Sequence, residues 1–151
     1  MYEVLTLTPV IEEEPVVSRV RRTLNKWGPS NCAVKHRIHA KGQTPGSDHV
    51  FDSVAFFRES GRNTVAVKTL APGYGPNVQA RGYGFLALDL RGTTFDDWAR
   101  LAVVAKVEQW PESALKMVRA HSAKTLEARS GEEDLIDRAL PAYIEELATA
   151  A

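Results

Sequence analysis

The chain has almost no means of cross-linking itself. Cys32 is the only cysteine in 151 residues, so an intramolecular disulfide is excluded and no Cys-x-x-Cys zinc knuckle exists. The histidines are His36, His39, His49 and His121. None lies in a His-Glu-x-x-His pattern, and His36 and His39, three apart on a predicted strand, point to opposite faces, so no structural zinc site is expected. Net charge is missing too. The 19 Lys and Arg offset the 19 Asp and Glu, which rules out binding driven by overall charge and leaves only local patches. No apolar run approaches the ~20 residues that span a bilayer. Glu3 and Glu12-Glu13-Glu14 do not suit a basic-then-apolar leader. A soluble cytoplasmic protein without a membrane partner is the expectation.

What is present is ordinary for a globular chain: 44% apolar and 25% charged residues, enough to bury a core without staples. Residues 2–8 alternate like an edge strand that Pro9 ends. Glu12-Glu13-Glu14-Pro15 opens a helix, with the acids at its positive end. Val16, Val17, Val20, Leu24 and Trp27 form its apolar stripe. Gly28-Pro29 stops it. Arg19, Arg21, Arg22 and Lys26 fill its later turns, either as a solvated face or as a phosphate-contacting one. Strands are predicted over 32–40, 49–57 and 64–70, joined by short turn-rich segments as an antiparallel meander. The Gly- and Pro-rich stretch 71–83 reads as a loop with at most one helical turn. Residues 85–90 read as a buried central strand.

Helices are expected beyond. Thr94 caps one, with Asp96 and Asp97 in its first turn and Phe95, Trp98, Leu101, Ala102 and Ala105 inward. Pro111 starts or kinks the next, striped by Leu115, Val118, Ser122 and Leu126. Ser130-Gly131-Glu132-Glu133 has the capping-box pattern and opens a third, which Pro141 bends or restarts. The class is therefore α+β: a four- or five-stranded mixed or antiparallel sheet packed by helices, with a helical C-terminal third. Residues 1–110 are expected to form the sheet domain and 111–151 a helical segment, either part of it or a small appendage. The expected core is Val20, Leu24, Ile38, Phe57, Val65, Val67, Leu86, Leu88, Phe95, Trp98, Leu101, Leu115 and Val118.

Few constellations carry chemistry. Cys32 and His36 lie roughly 13 Å apart along one strand face, too far for a nucleophile and its base. His36, between Val34 and Ile38, reads as a satisfied core histidine. Gly73-Tyr74-Gly75-Pro76 and Gly82-Tyr83-Gly84 lack the Walker lysine, and no helix is expected to open after them. More telling is Asp52 on the second meander strand with Lys68 near the end of the third. Hairpin parity decides whether they meet. Paired positions summing to 121 would put them on opposite faces. A sum of 122 would make them diagonal neighbours on one face, and it also stacks Ala55 and Phe57 against Val67 and Val65, so it is favoured. A plain cross-strand ion pair is the alternative use of the two charges.

A meander carrying Asp52, then x-Lys68, then a helix or loop, an apolar strand and a helix resembles the PD-(D/E)xK nuclease core over residues 30–110. The resemblance implies that Asp52 is the first metal-holding acid and Lys68 the lysine that activates or positions water. Gln79-Ala-Arg-Gly-Tyr83 is similar to the Gln-x-x-x-Tyr of some nucleases of this fold. Ala66 stands where the second acid belongs, with Asp48 or Glu14 as candidate replacements. Mg²⁺ needs hard oxygen ligands, so no cofactor is expected unless a further carboxylate converges on Asp52, and no robust metal-dependent cleavage is expected. Phosphate affinity would then rest on Lys35, Arg37, Arg58 and Lys68. The reading is a nucleic-acid-binding or nucleic-acid-associated domain on a degenerate scaffold. Its alternative is a protein-interaction module, an inhibitor or immunity factor, anchored by Trp27, Trp98 or Trp110. A converging carboxylate site would favour the first, an exposed apolar patch the second. Apolar stripes in residues 111–147 point to a homodimer through those helices.

Overall fold

The computed structural model describes residues 14–73 and 75–150. The strand predicted over 2–8 and the start of the first helix at Glu12 lie outside them. Helix α1 spans Val16–Trp27, with Pro15 as its N-cap. The meander follows as predicted: β1 is Ala33–Lys41, β2 Asp48–Phe56 and β3 Val65–Leu70, paired antiparallel.

The next two elements exchange their predicted identities. Helix α2 spans Pro76–Asp89, where a loop and a buried strand were expected. Strand β4 spans Ala99–Ala105, where a helix was expected, and the residues between them form turns rather than a capped helix at Thr94. Both segments are apolar runs, but they differ in side-chain shape. Phe85-Leu-Ala-Leu has no β-branched residue and is rich in helix formers. Leu101-Ala-Val-Val has two valines and is buried on both sides, as a central parallel strand requires.

Helix α3 spans Glu112–Ala120, β5 Lys124–Ala128 and α4 Asp134–Thr149. The C-terminal third, expected to be all helix, thus carries a strand between its helices, and Leu126 belongs to that strand rather than to the stripe of α3. Pro141 lies inside an unbroken α4. The Ser130 capping box does not form, since Glu133 accepts the N–H of Gly131 instead.

The result is an α+β protein with a five-stranded mixed sheet in the order β1-β2-β3-β4-β5. β3, β4 and β5 run parallel, each pair joined across a helix. Strand parity sorts the core into two layers. Val65, Val67, Leu101, Val103 and Leu126 meet α1 and α4 through Val20, Leu24, Ile136, Leu140 and Ile144. Ala66, Leu70, Ala102 and Val104 face α2 and α3. Of the expected core, Leu88 alone is exposed, at 48%, because it sits on the outer side of a helix and not in a strand. Among the described residues, no helix is long and apolar enough to cross a membrane.

One irregularity positions the site. Arg37 has φ of 53°, and the ladder between β1 and β2 skips the Arg37–Asp52 pair. A left-handed residue swings the strand over. Val34 packs with Ala55 on the α1 side, whereas Ile38, Ala40 and Phe51 pack on the α2 side. The far half of the hairpin therefore curls over α2.

Candidate functional site

The β2–β3 ladder pairs Ser53 with Val67 and Val54 with Ala66. The positions sum to 120, not 122. The parity is as expected, but the register is shifted by two residues. No ion pair joins Asp52 to Lys68. Beyond Ser53 the two strands part, and their side chains fill the opening crosswise. The backbone N–H and the hydroxyl of Thr69 donate to Asp52 Oδ2 at 2.7 and 3.0 Å. Lys68 Nζ donates to the Val50 carbonyl at 2.7 Å. Asp52 thus completes the hydrogen bonding of β3 where the ladder ends, which makes it a structural acceptor.

Lys68 opens onto a groove of about 400 Å³ between the curled hairpin and α2, lined also by Asp48, His49, Gln79 and Tyr83. Lys68 and the Gln79–Tyr83 pair, members of two separate motifs in the sequence, share this groove because α2 is a helix. One turn of helix sets Gln79 and Tyr83 on the same side. Their roles differ. Tyr83 is buried, and its hydroxyl donates to Ser122 Oγ at 2.8 Å, since Ser122 spends its own proton on the Val118 carbonyl. Burial pushes the Tyr83 phenol above its ordinary range. Gln79 is half-buried at the groove.

The acids around the groove are already engaged. Asp48 accepts from His39 Nδ1 at 2.6 Å. His49 reaches Asp89 Oδ2 at 2.7 Å. Asp89 also accepts the Thr44 N–H and hydroxyl and the Ser47 hydroxyl, and these donors hold its carboxyl far below the usual range. That cluster, which the sequence reading missed, ties the β1–β2 turn to the end of α2. Glu14 lines a different cleft and is held by Arg22, which lowers its pKa. Ala66 is fully buried among Phe51, Val54 and Leu86, so an acid there would sit in hydrocarbon. Among the described residues, no group of three or more His, Cys, Asp or Glu side chains is placed to hold a metal ion. What the groove offers is one ammonium, one amide and one carboxylate, a set that can hold an oxyanion by Lys68 and Gln79 but supplies a cation with only a single anionic ligand.

The other predicted cations are spread out. Lys35 and Arg37 are exposed on β1, the edge strand. Arg58 lies beyond the opposite end of β2, beside Cys32 and Asn31, about 25 Å from Val50 at the rise of a strand. On α1, Arg19 and Arg22 are paired with Asp137 and Glu14, so two of the four cations predicted on this face are neutralised. His36 is a satisfied histidine. It bridges Ser53 Oγ and Asn25 Oδ1 at 2.7 and 2.8 Å, and burial and then Arg21 lower its pKa. The tryptophans are packing residues. Trp110 is buried, and Trp27 and Trp98 lie against the core.

No protein-family model and no curated protein matches the chain. Among solved structures it is similar to a protein of unknown function, AF1548, at 11% identity and a TM-score of 0.48, over 74% of this chain and 57% of that one. The chain spans a little over half the length of that structure.

Proposed function

We propose that this protein is a nucleic-acid-associated domain on a degenerate PD-(D/E)xK-like scaffold, and that the Lys68 groove holds a phosphodiester without metal-dependent cleavage. The observation that carries this reading is the meeting of Lys68 and Gln79 in one groove, at the point where β2 and β3 part. The order meander, helix, apolar strand, helix also supports it. Two features argue against catalysis. Ala66 is buried where the second acid would stand, and Asp52 spends its carboxylate on Thr69. Magnesium would find Asp48 alone, so no cofactor is assigned.

The homodimer expected through residues 111–147 finds little support in uncovered surface. Of the large apolar side chains exposed among the described residues, only Met117 lies there.

The test is binding of labelled single-stranded DNA and RNA across a salt series, with Mg²⁺ or EDTA. Salt-sensitive binding is expected, with Lys68→Met reducing the log–log salt slope by about one and Asp52→Ala leaving it unchanged in the folded fraction. Metal-dependent cleavage abolished by Asp52→Ala, or the absence of salt-sensitive binding, overturns the proposal.

A further inference from the structure

His49 lines the Lys68 groove but has no part in holding a phosphate there. On β2, Phe51 packs on the α2 side, and so do Ala66 and Leu70 on either side of Lys68 in β3. Strand parity therefore turns His49 and Lys68 to the same side. They are neighbours in space as well, because Lys68 Nζ donates to the carbonyl of Val50, the residue after His49, at 2.7 Å. To its ammonium, amide and carboxylate the groove thus adds an imidazole.

That imidazole is fixed at two points. Nε2 lies 2.7 Å from Asp89 Oδ2, and the ring packs against Phe85 with centroids 5.4 Å apart. The Ser47 and Thr44 hydroxyls hold Asp89 in its ionised form. A carboxylate can only accept, so Nε2 carries the proton, and in the neutral ring Nδ1 is the acceptor. Nδ1 makes no hydrogen bond with a described residue.

An acceptor beside a phosphate-binding ammonium distinguishes the two nucleic acids. The sugar-phosphate backbone of DNA has no proton to offer. That of RNA has one donor per nucleotide, the 2′-hydroxyl, placed next to the 3′-phosphate. Lys68 keeps its remaining N–H groups for phosphate oxygens. Against DNA, Nδ1 loses water and gains no partner. The Asp48 carboxylate at the rim, shared with His39, is a further acceptor and acts in the same direction.

We propose that the Lys68 groove selects RNA, with Lys68 on the phosphate and His49 Nδ1 accepting the adjacent ribose 2′-hydroxyl. Asp89 is the positioning residue that fixes the tautomer. This rests on the phosphodiester-binding role of the groove and names its substrate class.

The experiment compares one labelled single-stranded sequence as RNA, as DNA and as 2′-O-methyl RNA. Each is titrated against the full chain by fluorescence anisotropy, with EDTA, in mildly alkaline buffer that keeps imidazoles neutral. RNA is expected to bind about tenfold more tightly than either of the others, since the methyl ether keeps the ribose oxygen but has no proton to give. His49→Phe should lower RNA affinity to the DNA level and leave DNA affinity unchanged, whereas Lys68→Met should weaken all three. Nitrogen–proton NMR correlation of the parent imidazole should place the proton on Nε2. Asp89→Asn, whose amide can donate, should move it to Nδ1 and erase the RNA preference while DNA binding persists. Far-UV circular dichroism establishes that the variants are folded, and the comparison of RNA with 2′-O-methyl RNA needs no variant. Equal affinity for RNA and DNA, RNA no tighter than 2′-O-methyl RNA, an RNA preference that survives His49→Phe, or a parent proton on Nδ1 overturns the proposal and leaves phosphodiester binding in place. Absence of salt-sensitive binding of all three removes both.

Discussion

Asp52 illustrates how a side chain can be conspicuous in the sequence for one reason and needed in the structure for another. Its carboxylate takes the Thr69 N–H and hydroxyl, the groups left over where β2 stops pairing. Asp52→Ala leaves a half-buried amide unsatisfied, and chemical denaturation should give a loss of about 1–3 kcal/mol. Nucleic-acid affinity of the folded protein should not move. Acid sensitivity arises in two pH ranges, from His36 in the upper one and from the depressed carboxyls of Asp89, Glu14, Glu108 and Glu127 in the lower one. The His36 pKa is depressed in the fold by burial and by Arg21, so its contribution to stability is full above its unfolded pKa and is lost as pH falls through the lower folded value, starting below about pH 6.5. Asp89 is a depressed carboxyl, so the same sign applies lower down: its contribution holds above the ordinary carboxylate range and fades below about pH 4. Thermal melts from pH 7 to 3 should therefore fall in two stages. Asp89→Asn should shrink the lower stage without abolishing it, and leave the upper one.

At the scale of elements, the meander was readable because β1 alternates with period two and short turn-rich segments separate the three strand runs. The identities of α2 and β4 were not, because β4 is buried on both faces and α2 is apolar on its exposed as well as its buried side, so neither run carries a period to read. The distinguishing sign was the pair Val103-Val104 against Leu86-Ala87-Leu88. Strand β5 was hidden because Ser122 and Leu126 continue the helical spacing of Leu115 and Val118. The site was half legible. Lys68 and Gln79 stood out by residue type, whereas their meeting depended on α2 being a helix. The role of Asp52 depended on a two-residue register shift and on a positive φ at Arg37, neither of which composition reveals. The β1–β2 turn offers a direct check on this geometry. A Cβ at Gly42 would stand 1.8 Å from Asp89 Oδ2 and 2.9 Å from Ser47 Oγ. Gly42→Ala should cost about 1–3 kcal/mol through forced displacement. Hydrogen exchange should accelerate in the turn and the adjoining ends of β1 and β2 more than in β4.

For the molecule as a whole, the segment after residue 110 supplies β5 to the sheet and Ile136, Leu140 and Ile144 to the layer that holds Val20 and Leu24. Neither part can bury its apolar surface without the other. Unfolding of the full chain should be one transition, with tryptophan fluorescence and far-UV circular dichroism coincident. A chain ended at residue 110 should give no cooperative melt. Two separated transitions would instead mean that the C-terminal segment folds as an appendage.

The kink at Arg37 also bears on what the molecule avoids. β1 is an outer strand of the sheet, nine residues long, and its free backbone would template a neighbour's strand if it were flat and apolar. Lys35, Arg37, His39 and Lys41 are exposed along it, and the left-handed turn at Arg37 breaks its straightness. The same cations that suggest phosphate contacts act as gatekeepers against edge-to-edge polymerisation. Replacing Lys35 and Arg37 together by valine would remove the charge and oppose the turn, since a β-branched residue resists positive φ. The resulting chain should form thioflavin-positive fibrils at concentrations where the parent remains clear.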